Sequence, residues 1–118
     1  MAARSYWVRV YNYTGTDLTL TNKALQHGVW SNNGGATPPD VIPEGRRAEW
    51  GSESDGLATG TEGEVVYASA AGEFKVYWDN PYVGSDQTSV RTPTRFSSVK
   101  EDSRGDNATL KVALVQEE

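Results

Sequence analysis

The chain contains no cysteine. A disulfide framework and thiolate chemistry are excluded, and the fold must rest on an apolar core, which 118 residues in one domain can supply. Histidine occurs once, at His27, leaving almost no material for a histidine-built metal site or a Ser–His–Asp triad. Basic residues are outnumbered, 11 Lys and Arg against 16 Asp and Glu, for a formal net charge of −5. Arg46-Arg47 is the only adjacent basic pair. This argues against nucleic acid as a partner and against polybasic attachment to anionic lipid, both of which need clustered cations. No apolar run approaches the length of a membrane span, and the N-terminus has no signal-like apolar region. The chain is therefore expected to be made soluble in the cytoplasm without a signal peptide, leaving by lysis or another route if it acts outside the cell. The sequons at Asn12 and Asn107 are then expected to be idle. EF-hand spacing, HExxH and a GxSxG with a usable histidine are missing, and Gly60-Thr61-Glu62-Gly63 lacks the Gly-Lys-Ser/Thr of a phosphate loop. No enzyme, cofactor or metal is expected.

What is present is alternation. In Glu73-Phe74-Lys75-Val76-Tyr77-Trp78-Asp79, Phe74, Val76 and Trp78 share one face and Lys75, Tyr77 and Asp79 the other. Asn80-Pro81 then breaks the strand, and Tyr82 and Val83 follow on a loop that Gly84 can reverse. An apolar loop tip on a polar protein needs a reason. Ser5 to Tyr13 alternates likewise, with Tyr6, Val8 and Val10 in one row. Leu18 to Thr21 resumes after a Thr-Gly-Thr-Asp turn, so the two segments read as a hairpin. His27 to Trp30, Arg46 to Gly51, Glu64 to Ala70, Thr94 to Lys100 and Asn107 to Gln116 read as further strands, and Asp86 to Pro93 as loop with room for a short one. Ala71-Gly72 links two alternating runs as a hairpin. Asn22 to Gln26 is ambiguous. Short strands with turn signals about every ten residues predict a single-domain, antiparallel β-sandwich or barrel spanning residues 1–118.

Two blocks in this order, Ser52-Glu53-Ser54-Asp55-Gly56-Leu57 with Thr59-Gly60-Thr61-Glu62-Gly63, and Tyr77-Trp78-Asp79-Asn80-Pro81-Tyr82-Val83-Gly84-Ser85, make the chain similar to the aegerolysin family. The N-terminal segment Tyr6-Trp7-Val8-Arg9-Val10 through Leu18 fits the family's opening strands, and the second block looks closer to the insecticidal bacterial branch, the small component of binary crystal toxins. The resemblance implies a compact β-sandwich that binds membrane lipid, often through a sphingolipid headgroup, and permeabilises membranes with a larger, unrelated partner protein. It also places lipid contacts at Trp7, Trp30 and Tyr82. Thr59 stands where fungal members carry an acid, and Tyr82 where they tend to carry tryptophan, so no particular lipid is carried over.

Each candidate has a plainer reading beside it. Tyr82 and Val83 either enter a membrane interface, a depth suited to an amphipathic ring, or fold back over the sandwich end. Trp7 lies in the row opposite Val8 and Val10 and is expected at the surface. Trp30 stands open between surface and core. Trp78 and Trp50 are expected in the core. Aromatic faces can hold a choline or ethanolamine cation without any basic patch, and Asp79 either meets that cation or satisfies the Asp-Asn-Pro turn. Glu62, Asp79 and Asp86 read as solvated surface acids, and Arg104-Gly105-Asp106 as a turn. A channel made by this chain alone is not expected. The strands nearest to a membrane-spanning length, Tyr6 to Tyr13 and Asn107 to Gln116, are needed for the core. A homo-oligomer is left open. The reading from a different class is a small β-sandwich lectin whose aromatic platforms bind carbohydrate.

Overall fold

Along β1 (Ser5–Tyr13), Tyr6, Val8, Val10 and Asn12 are buried, while Trp7, Arg9 and Tyr11 are half-buried, as a period of two dictates. The computed structural model describes residues 2–117. It continues with β2 (Leu18–His27), β3 (Val29–Trp30), β4 (Val41–Ile42), β5 (Arg47–Glu53), β6 (Thr61–Ser69), β7 (Gly72–Asn80), β8 (Gln87–Arg91), β9 (Phe96–Asp102) and β10 (Asn107–Gln116). Two five-stranded sheets form, in the orders β3-β5-β1-β10-β9 and β4-β2-β6-β7-β8. Their inner rows meet in one core: Val8, Val10, Trp50, Leu110, Val112 and Leu114 from the first sheet, and Leu18, Val65, Tyr67, Phe74, Val76 and Trp78 from the second. This is the all-β sandwich expected. Pairing is antiparallel except between β1 and β10, which run parallel over their whole register.

The hairpin expected from Ser5 to Thr21 does not form. β1 pairs with β5 and β10, and β2 with β4 and β6, so the Thr14–Asp17 link crosses from one sheet to the other. Alternation fixes which face of a strand is buried, but not its neighbour. Here Val8 and Val10 share one core with Leu18 from the opposite sheet instead of pairing beside it. Asn12 holds the crossing: its Nδ2 donates to the carbonyls of Thr16 and Ile42, both at 2.8 Å, and its Oδ1 accepts from Thr14 N and Thr14 Oγ1. The Asn12 side chain of that sequon is thus fully buried. β2 also absorbs the ambiguous Asn22 to Gln26. Its register against β6 shifts between Leu20 and Asn22 and between Leu25 and His27, and each bulge resets the phase of the alternation.

The hairpin read at Ala71-Gly72 is present: Ser69 pairs with Gly72, and Gly72 sits at φ +131°. β8 forms as an edge strand on β7. The inner rows of β1 and β10 are buried in the core, the place expected for them.

The registers put five segments at one end of the sandwich. They are Arg4 before β1, the end of β2 at His27, the β5–β6 loop (54–60), the β7–β8 loop (81–86) and the β9–β10 turn (103–106).

Candidate functional site

This loop end is built from side chains that tie one sheet to the other. Asn80, at the last position of β7, donates from Nδ2 to the carbonyls of Ser5 (3.0 Å), Gly105 (2.8 Å) and Asp106 (2.9 Å). Arg4 braces the next two residues. Its Nη2 donates to Tyr82 O at 2.9 Å, its Nε to Pro81 O at 3.4 Å, and its Cζ lies 4.8 Å from the centre of the Tyr82 ring. The guanidinium also pairs with Asp106 at 3.5 Å. One face of Tyr82 is therefore covered by a cation, and the loop is fixed from behind.

Tyr82 stands between two open clefts. One, of about 460 Å³, is lined by Ala2, Ala3, Glu53, Ser54, Gly56, Leu57 and Ala58 together with Tyr82. The other, of about 440 Å³, runs from His27 through Thr59, Gly60, Thr61 and Glu62 to Asp79, Pro81 and Tyr82. In the second cleft His27, Glu62 and Asp79 lie in one cross-strand row. His27 Nε2 is 3.6 Å from Glu62 Oε1, and the Tyr77 hydroxyl donates to Glu62 Oε2. Burial, with the Glu62 carboxylate beside it, pushes the Asp79 carboxyl up from its ordinary value. A bound cation would relieve that unfavourable field. An acidic wall, an aromatic edge and no free basic cluster suit an ammonium group better than an isolated phosphate.

The sequence-predicted residues divide. Asp79 and Tyr82 share the second cleft, and Val83, next to Tyr82, is 85% exposed. Trp7 lies on the outer face of the first sheet, flat over Gly51, where a Cβ would come within 2.3 Å of the ring. Its Nε1 donates to Glu49 Oε1 at 2.8 Å, and that bond holds the Glu49 carboxyl below its usual range. Trp30 is half-buried, its ring 6.2 Å from that of Trp78, so it packs largely on the core. Neither tryptophan lines the clefts beside Tyr82. Trp50 and Trp78 are wholly buried, as expected. The turn's hydrogen bonds come from Asn80, which the sequence marks only as part of the strand-breaking Asn-Pro pair, and from Arg4, which sequence reasoning did not single out. Leu57 was also passed over as an individual residue, although it is 97% exposed; a leucine in a Gly/Ser/Thr loop was the available signal. Arg104 is engaged inside the molecule, its Nη2 donating to Asp86 O at 2.9 Å, which fits the reading of Arg104-Gly105-Asp106 as a turn.

Asp86 departs from the expected solvated surface. It is 9% exposed and its Oδ2 has no partner. Burial, with Asp102 nearby, raises its carboxyl above the ordinary range. A raised folded-state value means that the penalty is absent below the ordinary carboxyl range and complete above the raised value. Asp86→Asn should therefore raise the thermal midpoint at neutral pH, by roughly 1 kcal/mol of stability, and the gain should vanish in acid. Thermal melts of both proteins at neutral and acidic pH check this; equal midpoints at neutral pH would show that the carboxylate is satisfied in solution.

No protein-family model matches the chain. An uncharacterised protein of Dictyostelium discoideum is 30% identical over 98 residues, which cover 80% of this chain but only 8% of that protein, so the relative is a far longer polypeptide. Among solved structures, the crystal structure of the lipid-binding protein Nakanori superposes with a TM-score of 0.83, over 98% of this chain and 73% of that one, at 18% identity. The chain has the Nakanori fold. The match spans both sheets of the sandwich; at this identity it speaks for architecture alone.

Proposed function

We propose that the chain binds membrane lipid through its loop end, with Tyr82 and Val83 at the interface and Asp79 facing the cationic part of a zwitterionic headgroup. The carrying observation is an exposed apolar tip beside an acidic cleft, on a loop held rigidly by Asn80 and Arg4. The fold shared with a lipid-binding protein supports this reading, as does the resemblance to aegerolysins. From that resemblance we further propose that the headgroup is a sphingolipid's. We also propose that the chain is one component of an insecticidal binary toxin acting at the outside of target cells, and that a larger partner protein supplies the channel. Trp7 and Trp30 are proposed as additional contacts outside the Tyr82 clefts, on the resemblance.

Co-sedimentation with vesicles of phosphatidylcholine, with and without sphingomyelin and cholesterol, tests the binding. Tyr82→Ala should weaken it about tenfold and leave the thermal midpoint near that of the parent, because the ring is 44% exposed. A large fall in midpoint would mark Tyr82 as structural. Binding should also survive moderate salt, since aromatic and apolar contacts carry it rather than screened charges.

A carbohydrate-binding reading has one observation of its own. Tyr11 and Tyr13 stack on the outer face of the first sheet, with centroids 6.2 Å apart and planes 15° apart, and Tyr13 is exposed. Binding to free glycans that is lost in Tyr13→Ala, with no binding to vesicles, would favour it.

A further inference from the structure

We propose that Leu57, on the β5–β6 loop, is a second apolar anchor that enters the same zwitterionic bilayer interface as Val83, so that two loops dock together with the Tyr82 ring between them. This rests on the lipid-binding reading above. Leu57 is 97% exposed and Val83 85%, and they are the two most exposed large apolar side chains among the described residues. They are far apart in the chain but brought to one edge: Leu57 and Tyr82 line the same cleft, and the two loops touch backbone to backbone at Gly60, where a Cβ would meet Asn80 O at 2.5 Å and Tyr82 N at 2.9 Å. The β5–β6 loop is set up to project Leu57. Gly56 and Ala58 on either side of it both have positive φ, +107° and +55°, and Thr59 Oγ1 closes the loop on Gly56 O at 2.9 Å. A non-glycine residue in the left-handed region holds that shape at a conformational penalty, and burial of Leu57 in the folded chain does not offset it.

A bilayer fits this surface better than a protein. A protein interface has a contiguous apolar centre, whereas here single apolar tips stand apart with open clefts between them. Tips that enter the acyl boundary while the clefts stay at headgroup level match the layering of a bilayer surface. The charges nearby make the choice of lipid. Glu53 lines the cleft, Asp55 is two residues from Leu57, and the Arg4 guanidinium is already paired with Asp106 and carbonyls. An anionic surface would be repelled, and a zwitterionic one tolerated.

The absence of cysteine allows a direct test. Single variants Leu57→Cys, Val83→Cys and, on the outer face of the first sheet, Lys111→Cys carry an environment-sensitive fluorophore and are mixed with vesicles of phosphatidylcholine, sphingomyelin and cholesterol. Probes at 57 and 83 should brighten, shift to the blue and be quenched by nitroxide-labelled lipid, while the probe at 111 should not change. Leu57→Ser should bind these vesicles about tenfold more weakly with an unchanged thermal midpoint. Sedimentation with the vesicles, together with a water-like probe at 57 and undiminished binding of Leu57→Ser, would overturn the two-loop docking and leave lipid binding standing. Failure of the parent chain to sediment with any vesicle would overturn both.

Discussion

Asn80→Ala is expected to lower the thermal midpoint by roughly 10 °C, from a loss of about 3 kcal/mol. The residue is 1% exposed, and its two amide hydrogens serve three carbonyls that all belong to the opposite sheet: Ser5 at the start of β1, and Gly105 and Asp106 in the β9–β10 turn. Alanine would withdraw the donor from all three and lose the side chain's packing; Asp106 O keeps its bond from Ser5 N at 2.9 Å, while the Ser5 and Gly105 carbonyls each lose a partner, at about 1 kcal/mol or more. Asn80→Asp should be at least as damaging at neutral pH, because it turns a carboxylate toward acceptors. The loop carrying Tyr82 and Val83 begins at the next residue, so vesicle binding should weaken in both variants even below their midpoints. Calorimetric or circular-dichroism melts decide the matter. A midpoint within about 2 °C of the parent's would mean that the carbonyls find other donors.

The second large effect is expected at Gly60. An added Cβ would sit 2.5 Å from Asn80 O, 2.8 Å from Pro81 Cα and 2.9 Å from Tyr82 N. All three atoms are backbone, so no flexible side chain can yield. Gly60→Ala must push the β5–β6 and β7–β8 loops apart, with a loss of about 1–3 kcal/mol in stability. It should also weaken vesicle binding about tenfold or more, because the two apolar tips and the cleft between them lose their common frame. Gly34→Ala is the control. Gly34 has a positive φ of +88° but nothing within 4 Å of its Cβ position, so that change should cost only about 1 kcal/mol and leave binding intact. Parent-like binding by Gly60→Ala would show that the loops act independently, and would count against a jointly built surface.

The two substitutions differ in what the sequence discloses about them. Asn80 stands in an Asn-Pro turn that is plain from the residues, but its three acceptors lie 25 to 75 positions away along the chain. Gly60 reads as one more loop glycine. Only the approach of a second loop shows why no larger residue fits. Leu57 is similar: its apolar character is visible in the sequence, while its position beside Tyr82 is not.

The strands themselves were legible because a period of two is local. The inward rows Tyr6-Val8-Val10, Phe74-Val76-Trp78 and Leu110-Val112-Leu114 are buried as the alternation requires. Where the alternation is interrupted, as at the two bulges of β2, the local signal fades with it. The tight β6–β7 hairpin could be foreseen because a short link brings adjacent strands together. The apparent β1–β2 hairpin failed because a link of similar length can instead cross the core, and the choice depends on whether distant β5 and β10 claim both edges of β1.

Composition and alternation by themselves determined an all-β chain with a self-sufficient core, the inward face of most strands, and an apolar tip at Tyr82-Val83. Tertiary structure alone decided which strands are neighbours, that β1 and β10 run parallel, that Trp30 leans on Trp78, and that Leu57, Asp79, Tyr82 and Val83 meet at one end. The physical reason is range. Burial periodicity follows from the geometry of a few consecutive residues, whereas pairing and site assembly follow from contacts between segments that the sequence holds far apart.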